Sequence, residues 1–159
     1  MLERAGPGVQ GQGSITGLFT VLVEGDDHNE PVSDAVRGIL DGHVVLDRDI
    51  AERGRFPPVN ILRSVSRTMP GCNTAEENAL VDRARQLTAT YGDMAELIRL
   101  GAYRQGTDPQ VDEAIQYRPA LENFLDQRKD DKTDLAQCYQ LLAQILDMPP
   151  PGQTPPETQ

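Results

Sequence analysis

Lysine is nearly absent from this chain, and tryptophan is absent altogether. The only lysines, Lys129 and Lys132, lie in a polar stretch between two predicted helices. A phosphate-binding P-loop needs a lysine inside a Gly-Lys-Ser/Thr motif, because that side chain reaches the phosphates of the nucleotide. Neither lysine stands in such a motif, so the sequence excludes a P-loop within these 159 residues.

Cysteine and histidine are also scarce. Cys72 and Cys138 lie far apart in the sequence, and neither His28 nor His43 stands at metal-ligand spacing from them. Zinc sites are recognised in sequences by closely spaced pairs of such residues. We therefore expect no metal site, and we expect two reduced thiols of the kind found in cytosolic proteins.

Basic charge is in deficit, because 15 basic residues face 25 acidic ones and the net charge is −10. Binding a nucleic-acid backbone requires clustered lysine and arginine, so this balance argues against nucleic acid as the main partner. No apolar run approaches the roughly 20 residues that cross a bilayer, and the first residues lack the apolar region of a signal peptide. We expect a soluble protein with no transmembrane segment, whose partners are proteins or small molecules.

The N-terminal region combines a glycine-rich stretch with a strand-like segment. Within the glycine-rich stretch at 6–13, Gly6, Gly8 and Gly11 match G-x-G-x-x-G, but a dinucleotide site needs that motif between a strand and a helix. Here a strand follows the motif and none precedes it, which favours a flexible loop. Ser14–Val23 is apolar and β-rich, which predicts a buried strand. The acidic stretch Glu24–Glu30 lacks the spacing of a calcium loop and is interpreted as a solvated or interface loop.

Short elements follow before residue 70. A proline at position 31 and a glycine at position 42 predict the limits of a helix. We further predict a strand at Val44–Leu46, a short helix at Asp47–Arg53 and a rigid turn at Arg55–Pro58. The segment Val59–Arg67 fits a strand or a helix equally well.

The second half of the chain has helical signals. Thr74 and Glu77 have the spacing of a capping box, and Asp108-Pro109 is typical of a helix start. Asp93 is expected to begin a separate short helix. The remaining signals are a restart or kink at Pro119, a cap at Thr133 and a disordered Pro-rich tail at Pro149–Gln159.

Together these segments predict an α/β piece followed by an all-α domain. Two strands joined through helices do not make a stable sheet alone, because parallel strands need neighbours and cover on both faces. The α/β piece is therefore expected to be part of a larger sheet. The expected boundaries are residues 1–70 for the α/β piece, 71–148 for the helical domain and 149–159 for the tail.

Four stretches carry a resemblance to a known family. They are EGDDHNEPVSDAVRGILDGHVVLDR at 24–48, AERGRFP at 51–57, SVSRTMP at 64–70 and GAYRQGTDPQVDEAI at 101–115. Residues 13–67 closely resemble the catalytic subunits of rotary ATPases, and within them the flagellum-specific, type III export branch. The resemblance implies the C-terminal part of a RecA-like ATPase domain followed by a helical C-terminal domain. It also implies a homo-hexamer that binds ATP and Mg between its subunits.

By this resemblance Arg67 matches the arginine finger, a catalytic residue that reaches from one subunit into its neighbour's site. A guanidinium is always charged, and its planar fork can bridge phosphate oxygens as charge develops. Without the resemblance, Arg67 would be interpreted as a salt-bridged arginine at the end of an element. Phe56 matches an aromatic residue that stacks on adenine, the alternative being a hydrophobic plug. A second aromatic wall is not evident, and Asp130 falls near where relatives carry one.

The resemblance also suggests partners. Asp108, Asp112 and Glu113 lie where relatives contact a central stalk, which is a small coiled-coil protein in the export branch. Acidic groups there can attract a basic partner, the alternative being an ordinary helix cap. Export chaperones and export-gate proteins are further implied partners. The implied location is cytoplasmic, peripheral to the inner membrane at the export apparatus.

The family's P-loop, catalytic glutamate and Walker B aspartate precede the matched region. We therefore expect this chain alone to bind neither ATP nor Mg and to be inactive. The predicted function is the C-terminal part of an export ATPase that couples ATP hydrolysis to protein export. Two alternatives stay open: a non-enzymatic interaction module built on the helical domain, and a fragment of an injectisome ATPase or another rotary ATPase subunit.

Overall fold

The computed structural model describes residues 5–22 and 31–152, with side chains in the second range described from residue 35 onward. The acidic stretch at 24–30 and residues 153–159 of the Pro-rich tail, for which a loop and disorder are predicted, lie outside the described residues. The chain divides into two compact units, residues 1–43 and 44–159. The domain boundary expected near residue 70 stays a prediction.

The first unit contains two short strands, a helix and a third short strand in its described residues. They are β1 (Gly6–Pro7), β2 (Ser14–Ile15), α1 (Pro31–Ile39) and β3 (Gly42–His43). Strands β1 and β2 pair antiparallel, with Gly6 opposite Ile15. The glycine-rich stretch closes this hairpin, where the Gly8 amide donates to the Gly13 carbonyl over 3.0 Å. The stretch predicted as a loop thus forms β1 at Gly6–Pro7 and the turn of the hairpin over residues 8–13.

The strand predicted over Ser14–Val23 is wrong beyond Ile15. Residues 16–22 form no strand, and residue 23 lies outside the described residues. A strand exists only where its backbone groups pair with a neighbour, and the hairpin supplies just two paired positions. Leu18 is 97% exposed and Leu22 is 92% exposed. These apolar side chains, which suggested a buried strand, are therefore not buried by the described residues of this unit.

The second unit begins with a short helix, and the chain segments before and after this helix are joined by one β-bridge. Helix α2 (Arg48–Glu52) is capped by Asp47, whose side chain accepts from the Asp49 amide, which confirms the predicted helix. The predicted strand at Val44–Leu46 is reduced to a single antiparallel bridge between Leu46 and Val59. The ambiguous segment that follows is mostly turn and ends in β4 (Val65–Ser66), because its amides bond to side chains rather than to a ladder.

Three helices complete the second unit. They are α3 (Ala75–Arg99), α4 (Pro109–Leu125) and α5 (Leu135–Ile145). The predicted capping box is present, since the Glu77 amide donates to Thr74 Oγ1 over 3.2 Å and the Thr74 amide donates to Glu77 Oε2 over 2.8 Å. No helix in residues 5–22 and 31–152 is both long enough and apolar enough to cross a membrane.

Three local helix predictions are wrong. Helix α3 runs through Asp93 without a break, because aspartate favours a cap but does not exclude a helix interior. Helix α4 continues through Pro119, so the predicted restart is wrong, whereas the alternative of a kink stays a prediction. Proline there removes one backbone donor, and packing on both sides maintains the helix. Helix α5 is capped by Asp134 rather than Thr133, since the Gln137 amide donates to the Asp134 carboxylate over 2.8 Å.

The core of the second unit lies between these three helices. Helix α3 contributes a stripe at intervals of four and three residues, as its sequence predicts, and α4 and α5 supply the opposing faces. Leu80 is fully buried, which stabilises the fold by about 1.5–3 kcal/mol relative to an exposed leucine. The core members are Leu80, Ala84, Leu87, Ala114, Leu121, Leu142, Ala143 and Leu146.

Candidate functional site

Arg67 directly follows β4 and is exposed at the start of a compact turn. The turn is closed by side chains on either side of the arginine. The hydroxyls of Ser66 and Thr68 are hydrogen-bonded over 2.9 Å, and the Met69 amide donates to Ser66 Oγ over 3.3 Å. These hydrogen bonds hold the residues immediately before and after Arg67 in place.

Asn60 organises the segment that leads to Arg67. Its Oδ1 accepts from the amides of Leu62 and Arg63 over 3.2 and 3.1 Å. Its Nδ2 donates to Asp47 Oδ2 over 3.0 Å. An asparagine that mimics a backbone turn in this way fixes the local chain direction. Sequence reasoning missed this residue, although a lone amide inside the apolar run Val59–Leu62 is a signal for such a role.

Ser64 ties the same segment to the chain before α2. Its hydroxyl donates to the Asn60 carbonyl over 2.7 Å and accepts from the Val45 amide over 3.0 Å. The Asn60 amide donates to the Val45 carbonyl over 2.8 Å. Both the donor and the acceptor functions of this hydroxyl are used, so its position is set from two directions. Arg67 is three residues further along the chain.

Helix α3 also holds this segment. The Arg85 guanidinium donates from Nη1 to the Ile61 carbonyl and from Nη2 to the Leu62 carbonyl, the second over 3.3 Å. A planar fork suits two neighbouring carbonyls, and a lysine would not reproduce it. The segment before Arg67 is thereby attached to the helical core.

Phe56 lies beside the C-terminal end of α4. Its amide donates to Asp126 Oδ1 over 2.9 Å, and its carbonyl accepts from the Gln127 amide over 2.6 Å. These two bonds hold the backbone of Phe56, while the residue as a whole is 53% exposed. An exposed aromatic face is what stacking on a base requires.

A chain of charged side chains supports the Phe56 turn. The Arg55 side chain is only 10% exposed, and its Nε lies 3.1 Å from Glu122 Oε2 in an ion pair that lacks good hydrogen-bond alignment. Its Nη2 donates to the Val59 carbonyl over 3.0 Å. The second oxygen of Glu122 pairs with Arg118 over 2.7 Å. The Arg118 guanidinium in turn lies 4.7 Å from the centre of the Tyr91 ring.

The three acidic residues predicted to meet a partner lie at the start of α4. Asp108 caps the helix, with its carboxylate accepting from the Gln110 amide over 2.8 Å. Asp112 accepts from the Tyr103 hydroxyl over 2.9 Å and from the Gly106 amide over 2.7 Å. Glu113 is paired with Arg83 of α3. All three carboxylates therefore also have a local structural role: one caps the helix, one closes the preceding loop and one pairs with α3.

Tyr103 is a second residue that sequence reasoning missed in this loop. Its hydroxyl donates to the Asp108 carbonyl and the Asp112 carboxylate, and it accepts from the Asp108 amide over 3.3 Å. Burial, together with the hydrogen bond to Asp112, raises the pKa of the Tyr103 phenol above its ordinary value. The hydroxyl thus stays a donor and closes the loop over residues 103–112.

The structure does not bring all predicted site residues together. Phe56 contacts the C-terminal end of α4, whereas Asp108 caps its N-terminal end. At 1.5 Å per residue, a helix of this length separates its ends by about 25 Å. Phe56, the candidate contact for a base, and Asp108, a candidate contact for a stalk, therefore lie at opposite ends of α4.

A nucleotide would find only part of a site here. Phe56 offers a ring face for a base, and Arg67 offers a guanidinium for phosphate oxygens. No lysine of this chain lies near either residue in sequence. Within residues 5–22 and 31–152, no group of three His, Cys, Asp or Glu side chains is placed to hold a metal ion.

Two family profiles match the chain. The nucleotide-binding domain of the ATP synthase alpha/beta family matches residues 1–66, and the T3SS EscN ATPase C-terminal domain matches residues 73–144. The flagellum-specific ATP synthase of Caulobacter vibrioides is 58% identical over 151 residues, which cover 92% of this chain and 34% of that protein. The chain thus spans about a third of the length of such relatives.

Solved structures show the same similarity. The assembled ATPase EscN from the enteropathogenic E. coli type III secretion system has a TM-score of 0.81 and 40% identity, over 85% of this chain and 33% of that one. EscN in complex with its central stalk EscO has a TM-score of 0.80 and 39% identity, over 91% and 34%. The predicted fold class is confirmed: the end of a nucleotide-binding domain is followed by a helical C-terminal domain.

We expect Asn60→Ala to loosen the segment before Arg67. The change removes the acceptor of two exposed amides and one of the partners of Asp47, at a cost of about 0.5–1.5 kcal/mol for each hydrogen bond. Hydrogen exchange at the amides of Leu62 and Arg63 should accelerate by about tenfold or more. Asn123→Ala, an exposed asparagine on α4, is the matched control and should leave both amides unchanged. Equal exchange in the two variants would contradict the role assigned to Asn60.

Proposed function

We propose that this homologue of the flagellum-specific ATP synthases and type III secretion ATPases supplies one side of an ATP-hydrolysing site between neighbouring subunits. The chain is the C-terminal region of such an ATPase, within the rotary ATPase alpha/beta family. The proposed work of the whole enzyme is to couple ATP hydrolysis to protein export. The observation that carries the proposal is the exposed Arg67 on a turn whose backbone is fixed on both sides.

Arg67 is the proposed arginine finger, and it acts on the nucleotide of a neighbouring subunit. As the bond to the terminal phosphoryl group breaks, negative charge develops on the phosphate oxygens. A guanidinium held in place before the reaction stabilises that charge without reorganising, which lowers the barrier. The fixed turn around Ser66 and Thr68 supports this role, because a finger on a mobile loop would lose part of the gain to ordering.

Phe56 is the proposed contact for the adenine base. Its half-exposed ring and fixed backbone support this assignment over a buried hydrophobic plug. The groups that hold the phosphates and Mg are proposed to lie in the part of the enzyme that precedes this chain, because no P-loop lysine is present. Those groups would hold Mg, whose positive charge would offset the charge of the phosphates. The residues of this chain orient the base and stabilise the developing charge.

The loop closed by Tyr103 and the start of α4 are the proposed contact with a central stalk. The similarity to EscN, which has been solved in complex with its central stalk EscO, supports this assignment. The residue Asp108 is exposed, and its carboxylate accepts the capping bond from the Gln110 amide. Export chaperones and export-gate proteins are further proposed partners. The proposed location is the cytoplasmic face of the export apparatus at the inner membrane.

A flagellar rather than an injectisome apparatus is the proposed site of action. The support is the level of identity, which is 58% to the Caulobacter vibrioides flagellum-specific relative and 40% to EscN of the type III secretion system. A non-enzymatic interaction module is the second candidate. It is supported by the core that α3, α4 and α5 form from their own apolar side chains.

We expect Arg67→Ala to lower kcat by about 10³–10⁵-fold while changing KM for ATP little, because the finger acts in the transition state. The assay uses an enzyme in which the P-loop-bearing region of a flagellum-specific relative precedes this chain. Arg67→Lys should recover only part of kcat, since an ammonium keeps the charge and loses the fork. Arg99→Ala, an exposed arginine on α3, is the control. Unchanged turnover in Arg67→Ala would show that the finger assignment is wrong.

Asp108→Asn should slow association with the stalk protein, because it removes one acidic charge and keeps the helix cap. The association rate should fall several-fold at low salt, and the difference should shrink as salt is raised. The matched control is Asp134→Asn, which removes the same charge from the cap of α5. The measurement is stopped-flow binding of the chain to the coiled-coil stalk protein. Identical rates for the two variants would contradict the proposed contact.

A further inference from the structure

We propose that the C-terminal end of α4 positions Phe56 for its nucleotide, with Asp126 as the positioning residue. The proposal rests on the proposed role of Phe56 at the adenine base. Asp126 is the C-cap residue of α4 and is exposed beside the Phe56 backbone. It acts on the ring through the backbone, so it is not itself a catalytic residue.

The first support is that both backbone polar groups of Phe56 are bonded to consecutive residues. Its amide donates to the Asp126 carboxylate over 2.9 Å, and its carbonyl accepts from the Gln127 amide over 2.6 Å. These residues lie 70 positions apart in the sequence, so the contact is tertiary rather than part of a local turn. Two bonds on opposite sides of one residue fix the direction in which its side chain leaves the backbone.

The second support is the partly buried ion pair next to it. Arg55 precedes Phe56 and is only 10% exposed, with its Nε at 3.1 Å from Glu122. Glu122 lies one helical turn before Asp126, and the Asp126 amide donates to its carbonyl over 3.0 Å. Arg118 occupies the other oxygen of Glu122 over 2.7 Å. The turn is thus attached to α4 at two positions one helical turn apart, through Glu122 and through Asp126. A shift of the turn along the helix axis would break both contacts.

The third support is what this attachment leaves accessible. Phe56 is 53% exposed although its backbone is fixed at both polar groups. A contact that served only to join the turn to the helix would gain from burying the ring, since burial of apolar surface stabilises at about 25 cal/mol per Å². An aromatic side chain held in place and left accessible fits a ligand contact better than a packing contact.

The proposal predicts a specific kinetic pattern for variants at position 126. Loss of the carboxylate in Asp126→Ala should raise KM for ATP by about threefold, with kcat little changed. Loss of the ring in Phe56→Ala should raise KM by about tenfold, as expected for removal of one stacking contact. Asp126→Asn should restore the wild-type KM, because the amide oxygen still accepts the Phe56 N–H.

The decisive test is a double-mutant cycle on KM in the enzyme described above, with a P-loop-bearing region preceding this chain. If Asp126 acts through Phe56, adding Asp126→Ala to Phe56→Ala should raise KM no further. The matched control is Asp82→Ala, an exposed carboxylate on α3. Hydrogen exchange at the Phe56 amide, measured on this chain alone, should accelerate in Asp126→Ala and stay unchanged in Asp126→Asn and Asp82→Ala.

The outcomes separate this proposal from the function on which it rests. If Phe56→Ala raises KM and Asp126→Ala does not, or if the two effects multiply in the double variant, the positioning role is overturned and the adenine contact stands. If Phe56→Ala leaves KM unchanged, the adenine contact is overturned and the positioning proposal falls with it. Unchanged exchange at the Phe56 amide in Asp126→Ala overturns the positioning role independently of catalysis.

Discussion

The attachment of residues 44–74 to the three-helix core by charged and polar side chains is the constraint on which the rest of the second unit depends. Every buried apolar side chain in the described residues lies between Leu80 and Leu146, so this preceding segment has no core of its own. It is held instead by Arg85 from α3 and by Glu122 and Asp126 from α4. Charge-assisted bonds of this kind fix direction more strictly than apolar contact does.

This arrangement explains how one small helical core can serve two separate surfaces. The C-terminal end of α4 meets the turn that carries Phe56, and the N-terminal end carries the loop closed by Tyr103. A helix is stiff over this length, so a displacement at one end is transmitted to the other with little loss. A contact with a stalk at one end and a nucleotide contact at the other would therefore be mechanically linked through α4.

Helices with local signals could be predicted from the sequence. The capping box at Thr74 and the Asp-Pro start of α4 are read from neighbouring residues, and both are present. The predicted break at Asp93 is wrong, because a capping preference is weak against a continuous packed stripe. The predicted strand from Ser14 is wrong beyond Ile15, because strands depend on partners that a single segment does not specify.

In the candidate site, too, residues with a local sequence signal could be predicted and their distant partners could not. Arg67 and Phe56 were identified as candidates by the motifs in which they stand, and their proposed roles rest on the resemblance to the family. Their supports could not be predicted in this way. Arg85 acts over 24 positions and Asp126 over 70, and no local pattern marks an exposed charged residue as the partner of a distant backbone group. Asn60 was the one support with a local signal, as a polar residue in an apolar run.

The central claim is the proposal that Arg67 acts on the site of a neighbouring subunit, and assemblies that mix two kinds of subunit test it most directly. One subunit carries Arg67→Ala with an intact P-loop, and the other carries intact Arg67 with the P-loop lysine replaced by alanine. Each assembled alone should be inactive. If the arginine acts across the interface, mixing the two should restore ATP hydrolysis well above either parent, because some interfaces then join an intact P-loop to an intact Arg67. Mixed assemblies that form and stay inactive would contradict the account.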